Sequence, residues 1–319
     1  MAPESETPPP IAFVGLGTMG GPIAARLLAA GTPLVVHNRD RAKAEPLLSA
    51  GASWADTPKQ AARLAAQGLA FVMVSDVRAV RAVAFGRRGL LAGASAGLLV
   101  VNLSTIAPEE SRAVAGRFAA RGVHYLEAPV GGSADAARDG QLVVYAGGDA
   151  ADVARARPLL ERFAVRVEHL GAVGLGAAMK LVNNLVTVTT VAVDAEALAL
   201  GEALGLERAR TLELLLAGSG QSAMLARKRE AFLAGRYPVQ FKLELAEKDL
   251  RLIGRSASEV GARTPIAREA QRLAAEAMRD GYAGQDFSVV LEAARRRRAG
   301  TSGTAVLPPA PPEGPVGGP

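Results

Sequence analysis

The chain has 319 residues, 49% hydrophobic and only 4% aromatic, with a formal net charge of +6 and a pI of about 10.0; that is enough for two domains whose cores are built mainly from Ala, Val and Leu. No cysteine is present, which excludes disulfides, cysteine-zinc sites, iron–sulfur clusters and thiol nucleophiles. His37, His124 and His169 are the only histidines and no H-x-x-x-H pair exists, so neither a metal site nor a Ser-His-Asp triad is expected.

Residues 1–10, MAPESETPPP, have no basic stretch followed by an apolar one and do not read as a signal peptide; with the Pro/Gly-rich residues 300–319 they read as disordered tails. Over residues 11–173 short apolar runs (IAFVG, PLVVHN, LAFVMVS, GLLVVNLS, VHYLEAP, LVVYAGG and VRVEHLG) alternate with Ala/Arg/Leu helical stretches. Continuous apolar strands alternating with helices predict an α/β domain, a parallel sheet covered on both faces. Over residues 174–299 the strands stop. GLGAAMKLVNNLVTVTTVAVDAEALALGEALGL predicts one long, mostly buried helix ending near Gly205, followed by helices near 207–217, 221–234, 241–261, 265–279 and 286–296. An all-helical domain is thus expected after the α/β domain.

No apolar run reaches the ~18 residues of a membrane span, so a soluble, cytoplasmic protein without a membrane partner is expected. The run of arginines from Arg295 to Arg298 reads as a solvated, dipole-favoured helix C-terminus. No aromatics interleave it, so no nucleic-acid partner is expected.

Gly15, Gly17 and Gly20 form G-x-G-x-x-G in Gly-Leu-Gly-Thr-Met-Gly, after a predicted strand and at the mouth of a predicted helix. Gly15 allows the tight turn, Gly17 the approach of a pyrophosphate and Gly20 close helix–strand packing. Gly15, Leu16, Gly17, Thr18, Met19 and Gly20 are therefore the candidate dinucleotide cradle. A site for NAD would end the second strand in Asp or Glu, to bind the ribose 2′-OH. Here VVHNRDR places Asn38 and Arg39. A guanidinium pairs with a 2′-phosphate that a carboxylate would repel, so NADP(H) is expected in preference to NAD(H), with Arg41 and Lys43 nearby. Asp40 is open to two readings, a helix cap or support for some NAD use.

Lys180 and Asn184 lie four residues apart on one face of the long predicted helix, with Asn183 about 100° round. Such groups in a Val/Leu/Ala helix are costly to bury without partners. Beside a nicotinamide, a partly desolvated lysine can protonate the alkoxide formed when a carbonyl is reduced, or run the reverse step. Asn184 can hold the lysine or the substrate oxygen.

FVGLGTMG, VNLST, LEAPVGGS…DGQL, GLGAAMKLVNN and KDLRL occur in the order expected of the β-hydroxyacid dehydrogenase family, and the chain resembles it from about Ile11 to Arg296. That family includes 3-hydroxyisobutyrate dehydrogenase, tartronate semialdehyde reductase and the glyoxylate/succinic semialdehyde reductases. The resemblance implies a Rossmann-like domain, a long interdomain helix and a helical domain, in a homodimer or homotetramer. It implies Lys180 as the acid/base with Asn184 beside it, Val74 and Ser75 along the cofactor, Thr105 near the nicotinamide ribose, and Lys248 reaching in from the helical domain. Periodicity alone reads Lys248 as solvated: Ala246, Leu250, Ile253, Ala257 and Val260 make the apolar stripe, and Lys248 lies about 200° from it.

The resemblance implies a small carboxylate-bearing carbonyl or hydroxyacid as substrate, whose carboxylate is usually held by a serine in the loop that here reads APVGGS. Gly131 stands in that serine's place, with Gly132 and Ser133 following. A backbone nest at Gly131 and Gly132 and the Ser133 hydroxyl are the candidate replacements, and the missing side chain would leave room for a bulkier group. Glu127, DGQLVVYAGGD, VSD and KDLRL lean towards the glyoxylate/succinic semialdehyde reductase branch. The alternatives are an imine reductase-like enzyme, whose relatives generally replace the helix lysine, and a non-catalytic NADP-binding scaffold, whose relatives have lost it. A 6-phosphogluconate dehydrogenase would carry His-Asn where this chain has Asn183-Asn184.

Overall fold

A computed structural model describes residues 9–65 and 68–296. Most of the first ten residues, all of 300–319, and Arg297 and Arg298 lie outside the described residues.

The N-terminal part runs β1 (Ile11–Val14), α1 (Gly20–Ala29), β2 (Leu34–His37), α2 (Glu45–Ser49), β3 (Ser53–Trp54), α3 (Pro58–Leu64), β4 (Leu69–Val72), α4 (Val77–Phe85), β5 (Leu99–Asn102), α5 (Pro108–Ala119) and β6 (His124–Glu127). These strands form one six-stranded sheet in the order β3-β2-β1-β4-β5-β6, every pair parallel. β1, β4 and β5 are buried at every position, because helices cover both faces. The two-residue side-chain period sorts each strand between two cores. Ile11 and Phe13 pack with Ile23 and Leu27 of α1; Ala12 and Val14 pack with Ala61 of α3 and Phe118 of α5. β3, only two residues long, was too short to show a period.

The last two expected strands do not join this sheet. β7 (Val130–Gly131), α6 (Ala134–Asp139), β8 (Leu142–Ala146), α7 (Ala150–Leu160) and β9 (Ala164–His169) follow, and β7-β8-β9 form a separate three-stranded sheet. β7 is antiparallel and β9 parallel to β8. An antiparallel bridge between Glu127 and Gly147 links the two sheets. Apolar runs mark strands but not their partners: the expected Rossmann-like parallel sheet is present, while the strands after it pair in a second sheet.

The helical part is α8 (Leu175–Ala203), α9 (Arg208–Ala217), α10 (Ala223–Ala234), α11 (Leu243–Glu259), α12 (Pro265–Ala277) and α13 (Val290–Arg296). The 29-residue α8 is less buried than expected. Lys180, Asn184, Val191, Ala195 and Leu198 face the helical core, but Val182, Val186, Val193 and Leu200 are 54, 62, 57 and 58% exposed. The two sets lie about half a turn apart on the helix. Because both faces are rich in Val, Leu and Ala, α8 is also long and apolar enough by composition to cross a membrane, which corrects the sequence-based expectation that no such segment exists. Its polar groups Lys180, Asn184 and Asp194 are packed inside the protein. Val260, expected on the apolar stripe of α11, lies just past the helix end and is 78% exposed.

Three acidic side chains tie the parts together. Glu127 Oε1, at the end of β6, accepts from the Gly174 and Ala177 amides at 2.6 and 3.1 Å, capping α8 from the sheet. Arg255 of α11 pairs with Glu110 and Glu109 of α5 at 2.5 and 2.9 Å.

Candidate active site

The glycine loop follows β1, at the carboxyl ends of the strands. There the chain order reverses between β1 and β4, which is where doubly wound sheets bind ligands. Gly15 has φ +104°, and a side chain on it would drive into the Met73 carbonyl; one on Gly20 would drive into the carbonyl of Gly15. Around Gly17, by contrast, a Cβ would meet nothing within 4 Å among the described residues. Among the described residues no side chain caps α1, which begins at Gly20. Two glycines are thus required by the fold and the middle one faces open space beside a helix N-terminus, an arrangement that fits a pyrophosphate. Leu16 is buried and Met19 packs partly against the same core, while Thr18 is exposed.

Asn38 holds this loop in place. Its Oδ1 accepts from the Leu16 amide at 3.0 Å and its Nδ2 donates to the Asp40 carbonyl at 2.8 Å. The Asp40 carboxylate caps the turn at 41–44, accepting from the Ala42 amide at 3.1 Å. Arg41 lies over the Trp54 ring, 5.1 Å from its centroid, and pairs with Glu45 at 3.5 Å. Arg39 is exposed at the end of β2.

The loops after β4 and β5 carry Val74, Ser75 and Thr105. The Val74 amide donates to Ser104 Oγ at 2.9 Å, and the Ser104 amide to Asn102 Oδ1 at 3.1 Å. Lys248 reaches these loops from α11: its Nζ donates to the Ser75 and Thr105 carbonyls at 3.0 and 2.8 Å. The solvated lysine that periodicity indicated is therefore a docked one, with a side chain 11% exposed. The off-stripe face of α11 meets the other domain, which the pattern of one helix cannot reveal.

Lys180 and Asn184 come together with Asp249, which sequence reasoning missed. Asn184 Nδ2 donates to Asp249 Oδ2 at 2.5 Å, and Lys248 Nζ lies 3.0 Å from Asp249 Oδ1. Burial, the main cause, pushes the Lys180 ammonium down to a pKa of about 8; Asp249 pulls it back up and Lys248 adds to the fall. The result is a buried lysine that can exchange a proton near neutral pH. A carboxylate beside the apolar stripe of α11 was the available signal for Asp249.

At the APVGGS loop, Gly131 is buried and Gly132 is exposed with φ +130°. Ser133 Oγ accepts from the Ala136 amide at 3.3 Å and caps α6. The room left by the missing side chain at 131 is not open to a bulkier group, because the Tyr145 ring occupies it. The Tyr145 hydroxyl donates to Asn183 Oδ1 at 3.2 Å, and Asn183 Nδ2 donates to Asn184 Oδ1 at 3.0 Å. Among the described residues no group of three or more His, Asp or Glu stands together as a metal site.

Comparison with known proteins matches residues 10–174 to the NAD binding domain of 6-phosphogluconate dehydrogenase and residues 174–294 to a second family, NAD-binding of NADP-dependent 3-hydroxyisobutyrate dehydrogenase. The chain is 35% identical to glyoxylate/succinic semialdehyde reductase 2, chloroplastic, of Arabidopsis thaliana, covering 91% of this chain and 80% of that protein. It is 37% identical to 3-hydroxyisobutyrate dehydrogenase of Pseudomonas aeruginosa, covering 88% and 96%. Among solved structures, Mycobacterium tuberculosis 3-hydroxyisobutyrate dehydrogenase with L-serine superposes with a TM-score of 0.79 at 29% identity, covering 89% of this chain and 98% of that one.

Proposed function

We propose, for a chain that belongs to the β-hydroxyacid dehydrogenase family, that it interconverts a small β-hydroxyacid and its aldehyde acid with NADP(H), using Lys180 as general acid/base. The family makes it an oxidoreductase of hydroxyacid hydroxyl groups. The observation that carries the finer reading is the buried Lys180 beside Asn184 and Asp249, where α8 and α11 meet the ends of the sheet strands.

A bound nicotinamide would supply or accept the hydride. Lys180 gives its proton to the oxygen of the reduced carbonyl, or takes the proton from the hydroxyl in the reverse direction. Asn184, fixed by Asp249, positions that oxygen and the ammonium. Gly15, Leu16, Gly17, Thr18, Met19 and Gly20 hold the pyrophosphate, with Asn38 bracing the loop. Lys248 fastens the loops of Val74, Ser75 and Thr105, which line the dinucleotide, to the helical domain. Gly131, Gly132 and Ser133 border the substrate's acid group.

Preference for NADP(H) rests on Arg39, exposed beyond β2, and on Asp40, whose carboxylate is engaged in a turn. A homo-oligomer rests on the line of Val182, Val186, Val193 and Leu200 along α8, an apolar stripe facing solvent in one chain. The same reading makes it a soluble cytoplasmic enzyme. NADPH oxidation with glyoxylate, succinic semialdehyde and methylmalonate semialdehyde tests the activity; binding of NADPH with no turnover would leave a scaffold.

A further inference from the structure

Gly131 ends β7 facing Tyr145 on β8. A Cβ at Gly131 would lie 2.8 Å from the Tyr145 hydroxyl oxygen and 3.2 and 3.3 Å from two of its ring carbons. The backbones cannot separate easily, because Val130 pairs with Val144 and Gly131 with Val143 in the antiparallel ladder. A side chain at 131 and the ring at 145 thus compete for the same space, and one must shift where both are present. The phenol also opens a one-way string of donors. Tyr145 donates to Asn183, Asn183 to Asn184, and Asn184 to the buried Asp249 carboxylate beside Lys180. Tyr145 itself is only partly buried, and its hydroxyl begins the string.

From this exchange we propose that Tyr145 is a specificity-determining residue: its hydroxyl, 2.8 Å from where a Cβ at 131 would lie, binds the acid group of a small aldehyde acid, while in the free protein its bond to Asn183 holds the ring in place for the arriving acid. The proposal rests on the activity proposed above. A carboxylate is a stronger acceptor than an amide oxygen, because charge-assisted hydrogen bonds are about twice as strong as neutral ones. The hydroxyl proton therefore turns from Asn183 to the arriving acid. The ring keeps the pocket short, since it fills the volume that glycine leaves.

The test uses the full chain and the variants Tyr145→Phe, Gly131→Ser, Tyr145→Leu and the double variant Gly131→Ser/Tyr145→Leu. Three quantities are measured: Kd for succinate in the presence of NADP+ by calorimetry, KM and kcat for succinic semialdehyde, and Tm. Tyr145→Phe keeps the ring and is expected to raise the succinate Kd and the KM by roughly tenfold, the scale of one hydrogen bond to a charged group, with a much smaller change in kcat. Gly131→Ser alone loses Tm and succinate binding. The double variant regains both beyond either single variant. An unchanged Kd and KM in Tyr145→Phe, or single effects that simply multiply in the double variant, overturns the proposal, as does a native protein that binds no succinate. Should Gly131→Ser fail to fold, Tyr145→Phe decides alone. Succinate binding that responds as expected in a protein that reduces no carbonyl would sink the proposed activity and leave the role of Tyr145 standing.

Discussion

Asn184 Nδ2 donates to Asp249 Oδ2 at 2.5 Å, locking α8 to α11 beside the buried Lys180. The bond leaves Asp249 a fixed negative charge that opposes the desolvation of the lysine. With the Lys180 pKa at about 8, carbonyl reduction needs the protonated amine and should fall as pH rises through that value, whereas hydroxyacid oxidation should rise. Asp249→Asn removes the opposing charge and should move both inflections to lower pH. Steady-state kcat/KM against pH in the two directions checks this; inflections that stay put would dissociate Asp249 from the lysine.

Lys180 should also weaken the fold at neutral pH. An ordinary lysine keeps its proton to about pH 10.5, the buried one to about pH 8. Below the lower value both folded and unfolded states are charged, and burying the ammonium costs roughly 3 kcal/mol at 1.36 kcal/mol per pKa unit. Between the two values the unfolded chain holds more protons, so the native protein gains stability as pH rises. Lys180→Met should therefore melt above the native protein near neutral pH. The difference should shrink as the pH approaches about 10. Thermal unfolding at the two ends of that range reads it, and a variant less stable at neutral pH contradicts it.

Arg39→Asp places a carboxylate at the end of β2. It should weaken NADPH and favour NADH, by repulsion of the 2′-phosphate and capture of the 2′-hydroxyl. The ratio of kcat/KM for the two cofactors is the readout, and a ratio unmoved by the change would remove Arg39 from cofactor choice.

Charges placed in the stripe of α8 should separate the chains. Val186→Glu with Val193→Glu alters two side chains that are 62 and 57% exposed in the single chain, so the monomer should remain folded while a native oligomer dissociates. Light scattering gives the mass. A native protein that is already monomeric would refute the stripe as a self-association face.

The parallel core of the fold was legible because β1, β4 and β5 are continuous apolar runs, the mark of strands covered on both faces. The second sheet was not, since β7 spans two residues and pairing direction leaves no period. The glycine loop, Lys180 and Asn184 were readable as local motifs, because their chemistry is stated within a few residues. Lys248, Asp249 and Tyr145 were harder to place. Lys248 is docked by carbonyls far away in the chain, Asp249 by an asparagine on another helix, and Tyr145 by Asn183 and by the vacancy at Gly131. The departure at 131 was visible in sequence; its compensation on the neighbouring strand was visible only in three dimensions. The exposed face of α8 escaped notice because Val and Leu surround the helix on both sides, and composition does not say which side is covered.

The most direct measurement is NADPH oxidation by the native protein and by Lys180→Ala with succinic semialdehyde and glyoxylate, alongside NADPH binding by fluorescence. Native turnover that falls by roughly 10²–10⁴ in the variant, the usual contribution of a general acid, with cofactor affinity nearly unchanged, is the predicted result. Equal turnover with and without the lysine would contradict the account.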